Sequence, residues 1–157
     1  AEQMAYFLNL NYDANINVLR FSNVYGGVNY INKKNSVVAK FVRQYLNGES
    51  LLIDGTGTQT RDFIHVKRVV EVINRVLNED LVPEKLDVCG TIKRSINDIA
   101  GMFPGDARIG VVPGERSVGV ASVSPNVTDM WQLMGNDWSN KNRNDLEDYL
   151  SSVLKRP

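Results

Sequence analysis

Two polar side chains stand where a ligand could meet them. Arg61 follows the turn Gly55-Thr56-Gly57, and glycines let backbone come close to a bound group. A planar guanidinium offers paired donors in the geometry that phosphate oxygens accept. The same arginine could instead pair with Asp62 or another nearby carboxylate, as exposed arginines commonly do. Asn23 falls at the end of an expected strand, which is where open α/β sheets place ligands. It could also serve as a turn residue that satisfies local backbone.

Other reactive types offer less. His65 is the only histidine, and Asp62 is near it with no evident nucleophile, so a hydrolytic triad has little support. A strand-end histidine with a satisfied hydrogen bond is the expectation. One cysteine and one histidine cannot form the usual Cys/His zinc site. Cys89, at the end of an apolar strand, reads as a small buried side chain. Tyr30 and Lys34 have the spacing of four that places two side chains on one helical face. They lie in a loop rich in glycine and asparagine, so Lys33 and Lys34 read as solvated. Gly55-x-Gly57 has no further glycine at dinucleotide-loop spacing and no Walker lysine.

The elements that must position these groups alternate in type. Residues 1–12 read as an amphipathic helix, 16–21 as a strand and 36–47 as a helix ending at Gly48. Residues 51–53 form a short strand before a turn-rich loop. A second strong helix covers 66–77, with Val69, Val70, Ile73, Val76 and Leu77 assigned to its inner face. A strand over 86–89 ends at Gly90. Ser95 and Asp98 make a capping-box start for the helix 96–102. Residues 109–112 and 117–123 read as strands, Pro125 as the first turn of a helix ending near Gly135, and 143–154 as a closing helix. Alternating strands and helices give an α/β class.

The chain has 157 residues, 43% of them apolar, enough for one domain with a real core. Basic and acidic residues balance at 18 each, so nothing points to nucleic acid or an anionic membrane as a partner. No apolar run approaches the roughly 20 residues of a membrane span. A single unpaired thiol fits a cytoplasmic setting.

Two stretches go beyond composition. Residues 19–26, Leu-Arg-Phe-Ser-Asn-Val-Tyr-Gly, and 55–66, Gly-Thr-Gly-Thr-Gln-Thr-Arg-Asp-Phe-Ile-His-Val, resemble the "L-R-x-x-N-V-Y-G" and "G-x-G-x-x-x-R-D-F-I-(H/Y)-V" segments of a known family. It is the extended short-chain dehydrogenases acting on nucleotide sugars, the NAD-dependent epimerases and dehydratases. Val38-Ala39-Lys40-Phe41 is similar to that family's "V-I-P-K-F", and Asn47-Gly48-Glu49 to its "x-G-E" turn. Residues 86–90, 95–100 and 113–115 resemble its "Y-N-V-G-x-G", "S-I-x-E-L-A" and "R-P-G-D". The resemblance runs to about residue 120. Val112 stands where the last motif has arginine, Glu115 where it has aspartate, Asp54 where the family often has an aromatic, and Lys67-Arg68 where it usually has an acidic pair. These departures bear on which nucleotide and sugar are taken.

The resemblance implies NAD as cofactor and a UDP- or dTDP-sugar as substrate, with UDP-glucose 4-epimerase as the nearest type. It implies that Phe21 and Ser22 approach the nicotinamide, that Asn23 donates to the substrate, and that Arg61 contacts the diphosphate. Lys40 and Phe41 would lie against the base or ribose, and Glu115 would join the substrate site. The fold implied is the remnant of a Rossmann-type sheet, residues 1–24 and about 62–90, plus a smaller α/β substrate-binding part, about 25–61 and 91–157. The family's Tyr-x-x-x-Lys pair precedes the "A-E-Q" that Ala1-Glu2-Gln3 resembles. The chain is thus expected to be a C-terminal portion, inactive by itself, with no catalytic residue of its own. The resemblance also implies a homodimeric parent whose interface includes the helix 1–12, so that Met4, Phe7 and Leu8 would be left as an apolar patch that promotes self-association. A dehydratase or reductase of the same family, or a binding module without chemistry, are the alternatives.

Overall fold

The computed structural model describes residues 1–27, 30–32, 36–113 and 125–155. The expected strand over 117–123 lies outside them. The chain opens with helix α1 (Glu2–Tyr12) and strands β1 (Val18–Phe21) and β2 (Asn23–Tyr25). After a single 3-10 turn at Tyr30–Asn32 come α2 (Val37–Leu46), β3 (Leu51–Asp54), β4 (Thr60–His65) and α3 (Val66–Asn78). Then follow β5 (Lys85–Val88), β6 (Lys93–Ser95), α4 (Ile96–Gly101) and β7 (Ile109–Val112). Short helices α5 (Thr128–Met134), α6 (Trp138–Asn142) and α7 (Asp145–Val153) complete it.

The strands form small sheets. β1 pairs in parallel with β5, and β3 with β7. β2 lies parallel to β4, whose other edge takes β6 antiparallel. β2, β4 and β6 carry no apolar run in the sequence, which is why only their neighbours were expected as strands.

α2 forms because one face carries Val38, Phe41, Val42 and Tyr45, all buried, and because the Ser36 hydroxyl caps its first turn. It stops at Gly48, which takes φ +71°. α3 corrects the expected inner face. Val69 and Val72 are buried, with Ile73 and Val76 packed beside them, whereas Val70 and Leu77 are exposed. Steps of three and four residues keep 69, 72, 73 and 76 together, and a step of one turns the side chain about 100° away. At α4 the expected capping box is formed, Asp98 N–H donating to Ser95 Oγ and Ser95 N–H to Asp98 Oδ2. Pro125 stands three residues ahead of α5. The turn into that helix is made by Asn126, whose side chain accepts from Thr128 N–H.

Two apolar clusters fill the interior. One joins α2, β3, α4 and α7 around Phe41, Leu51, Ile99 and Leu150. The other joins β5, α3, α5 and α6 around Leu86, Val72, Met130 and Trp138, whose indole N–H donates to the Cys89 carbonyl at 3.0 Å. Cys89 is fully buried, as expected. β4 separates the clusters, with Phe63 facing the first and Ile64 the second.

Candidate functional site

β1 ends at Phe21, opposite Val88 of β5, and the Ser22 N–H still donates to the Val88 carbonyl at 3.0 Å. The next residue, Asn23, belongs to a different sheet and pairs with Phe63 of β4. Residues 21–23 thus sit where the chain passes between sheets, at the carboxyl end of a parallel pair. Open α/β folds bind ligands at such places. An open cleft of about 370 Å³ lies there, lined by Arg20, Phe21, Ser22, Asn23, Asp62 and Asp87 among others. Phe21 is half-exposed at its mouth.

Asp62 organises this cleft. Its backbone carbonyl accepts from the Asn23 side-chain amide at 2.9 Å, and its Oδ1 accepts from Gly90 N–H at 2.7 Å. Gly90 is required, since a Cβ there would stand 2.2 Å from the Phe63 carbonyl oxygen. Asp62 is 3% exposed. Burial pushes its carboxyl up, while the nearby Ser22 hydroxyl and the Gly90, Thr91 and Ile92 amides pull it back. Ser22 Oγ favours the charge without reaching hydrogen-bond geometry, so Ser22 Oγ and Asp62 Oδ2 are both buried without a partner. The sequence offers Asp62 as a partner of Arg61 or a neighbour of His65, and neither is the role it takes here. Its place in the run Arg-Asp-Phe was the signal for more.

Arg20 does not serve the cleft as a free cation. It donates through Nε to Glu2 Oε1 at 2.8 Å and stands 3.8 Å from Asp87, tying α1 to β1 and β5. Arg61 is half-buried on β4 opposite Arg94 of β6, and its Nη1 donates to the Thr60 carbonyl at 2.8 Å. It lies outside the cleft. Lys40 and Phe41 belong to a second cleft of about 260 Å³, bordered also by Ser36, Asp54, Gln59 and Ile96. Lys40 Nζ meets Asp54 Oδ2 at 3.0 Å. Phe41 is fully buried, edge-on to Phe103, so it forms part of this cleft's floor. Glu115 lies outside the described residues.

His65 has the satisfied hydrogen bond expected of it. Its Nδ1 accepts from Lys67 N–H at 3.1 Å and caps α3, and its ring packs edge-on to Tyr25. Burial lowers its pKa. Tyr30 is buried against the Ser36 hydroxyl, and burial pushes its phenol up to about 12, the opposite of what a base requires. Lys34 lies outside the described residues. Among the described residues no group of His, Cys, Asp and Glu could hold a metal ion, and no helix is long and apolar enough to cross a membrane.

Residues 1–89 match the model of the NAD dependent epimerase/dehydratase family. The chain belongs to that family. A dTDP-4-dehydro-6-deoxy-D-allose reductase from Streptomyces bikiniensis is 33% identical over 128 residues, 78% of this chain and 39% of the reductase. A UDP-N-acetyl-alpha-D-glucosaminuronate decarboxylase from Bacillus cytotoxicus is 29% identical over 85 residues, 54% of this chain and 26% of the decarboxylase. The UDP-glucuronic acid 4-epimerase of Bacillus cereus, solved with UDP-glucuronic acid and NAD, superposes with a TM-score of 0.73 at 20% identity. That match covers 98% of this chain and 50% of the epimerase. The chain spans about half or less of the length of the proteins it matches. Its fold is that of the extended short-chain dehydrogenases, as the resemblance implied.

Proposed function

We propose that this chain carries the substrate-facing part of an NAD-dependent nucleotide-sugar epimerase acting on a UDP- or dTDP-sugar. One observation supports this above others. Asn23 is held by Asp62 at the junction between sheets, beside a cleft that Phe21, Ser22 and Asp62 also line. An asparagine amide has two N–H donors, so with one committed to Asp62 the other can serve a sugar hydroxyl. Phe21 and Ser22 line the cleft in which the nicotinamide would sit, with Phe21 at its mouth. When bound, NAD accepts a hydride from the sugar. The residues of this chain bind and orient. In this reading Arg61 meets the diphosphate, Lys40 and Phe41 border the nucleoside, and Glu115 adds a substrate contact.

Residues 1–24 and about 62–90 are assigned to the cofactor-binding layer, and about 25–61 and 91–157 to the sugar-nucleotide part. We expect no turnover by these 157 residues alone, because the one Tyr-x-x-x-Lys of the sequence, Tyr30 and Lys34, falls in a Gly- and Asn-rich stretch and the sequence has no dinucleotide-loop motif. Calorimetry with UDP and dTDP, and turnover assays with NAD and a panel of their sugars, test both halves of the proposal. Failure to bind either nucleotide sinks the function. Turnover sinks the inactivity. A reductase is the second reading, favoured by the 33% identical reductase that matches 78% of this chain.

A further inference from the structure

We propose that Asp54 reads the ribose hydroxyls of the nucleotide, so that this chain prefers ribonucleotide-linked sugars to 2′-deoxyribonucleotide-linked ones. The inference rests on the function proposed above, which leaves UDP and dTDP equally open.

Asp54 is the last residue of β3, at the carboxyl end of the parallel pair with β7, opposite Val112. The alternation of β3 buries Leu51 and Ile53 and turns Asp54 outward, with its side chain 66% exposed. It stands at the rim of the second cleft, above a floor made by Phe41, Ile53 and Ile96, all buried. An apolar floor with a few convergent polar groups is the usual build of a small-molecule site.

The position of the carboxylate is set in advance. Gly55 N–H donates to the Val112 carbonyl at 3.2 Å, and Gln59 Nε2 donates to the Asp54 carbonyl at 3.3 Å. The turn that follows is fastened to α4, where Asn97 N–H donates to the Gly57 carbonyl at 3.0 Å and Asn97 Nδ2 to the Thr56 carbonyl at 3.1 Å. Gly57 admits no side chain, since a Cβ would lie 2.0 Å from Asn97 Oδ1. Lys40 Nζ then holds Oδ2 at 3.0 Å, and Oδ1 of this cleft-lining carboxylate has lone pairs left to accept.

A carboxylate only accepts hydrogen bonds, so it selects for donors. A ribose presents two adjacent hydroxyl donors, and a 2′-deoxyribose presents one. Lys40 keeps the carboxylate in place next to the nucleoside.

The test is calorimetry of the 157-residue chain with UDP and with 2′-deoxy-UDP, which differ by one hydroxyl. Wild type is expected to bind UDP about tenfold more tightly, the effect of one hydrogen bond to a charged group. Asp54→Asn should bring that ratio close to one, and Lys40→Met, which releases the carboxylate from its partner, should reduce it. Equal affinities in wild type, or a ratio that survives Asp54→Asn, overturn the inference and leave the function standing. If neither nucleotide binds, the function and the inference fall together.

Discussion

Arg68 on α3 grips Asp145 at the start of α7, with Nε 2.8 Å from Oδ2 and Nη2 3.3 Å from Oδ1. Lys67 Nζ reaches the same Oδ1 at 2.7 Å. The pair Lys67-Arg68, which replaces the family's acidic pair, thus has a carboxylate to hold, and through it α7 is fastened to the helix that follows β4. Asp145 is 5% exposed. Removing one member of a pair this buried leaves the other charge uncompensated. We expect Arg68→Ala to lower stability by about 3 kcal/mol in urea titrations. A loss below about 0.5 kcal/mol would show that the clamp is not structural.

The same clamp sets an acid limit. Burial alone would raise the Asp145 carboxyl, but hydrogen bonds from Arg68 and Lys67 outweigh it and hold the group below its usual 3.8. A depressed carboxyl stabilises the fold above its unfolded pKa, and that contribution is lost as pH falls through the folded value. Thermal melts should therefore show a loss beginning near pH 4 that Asp145→Asn lacks.

His65 adds a second acid-sensitive contact at higher pH. Its imidazole accepts the Lys67 N–H only when neutral, and burial followed by the Lys67 charge lowers its pKa from 6.5. The neutral form is therefore favoured in the fold. Its contribution is complete above pH 6.5 and declines as pH falls below that value. His65→Asn, which retains a neutral cap, should flatten the stability curve between about pH 5 and 6.5. An unchanged slope would remove His65 as its source.

Gly90 tests the junction itself. Gly90→Ala would drive Cβ into the Phe63 carbonyl and break the contact with Asp62. Backbone on the receiving side cannot move aside as a flexible side chain could. A loss of about 3 kcal/mol or more is expected by denaturant titration, whereas Gly101→Ala, which meets nothing within 4 Å, should be neutral or stabilising.

α1 carries the patch that the sequence foreshadowed, in altered form. Met4 and Phe7 are exposed as expected, Leu8 is half-buried, and Leu10 takes its place on the surface. Sedimentation velocity should show association that grows with concentration, and Phe7→Lys with Leu10→Lys should abolish it. A monomer at all concentrations in wild type would count against the patch as a contact.

Much of the fold was legible where apolar spacing or capping chemistry fixed it, as in α2 and in α4 with Ser95 and Asp98. The strands β2, β4 and β6 were not, because pairing with neighbours makes them rather than their own composition. Val70 and Leu77 misled for a related reason. A crowded apolar helix does not state which of its stripes meets the core. Motif order pointed to Asn23 and Phe21, and both line the cleft at the sheet crossing. The work of Asp62 was hidden because a buried carboxylate beside an arginine suggests an ion pair, and only the sheet crossing brings Gly90 to it from 28 residues away.

That crossing has a mechanical side. Asp62 holds Gly90 with its side chain and Asn23 with its main chain, and both bonds issue from a residue in mid-strand. The loop leaving β5 and the amide at the cleft are therefore hung on one residue, and any change that moves Asp62 reaches both.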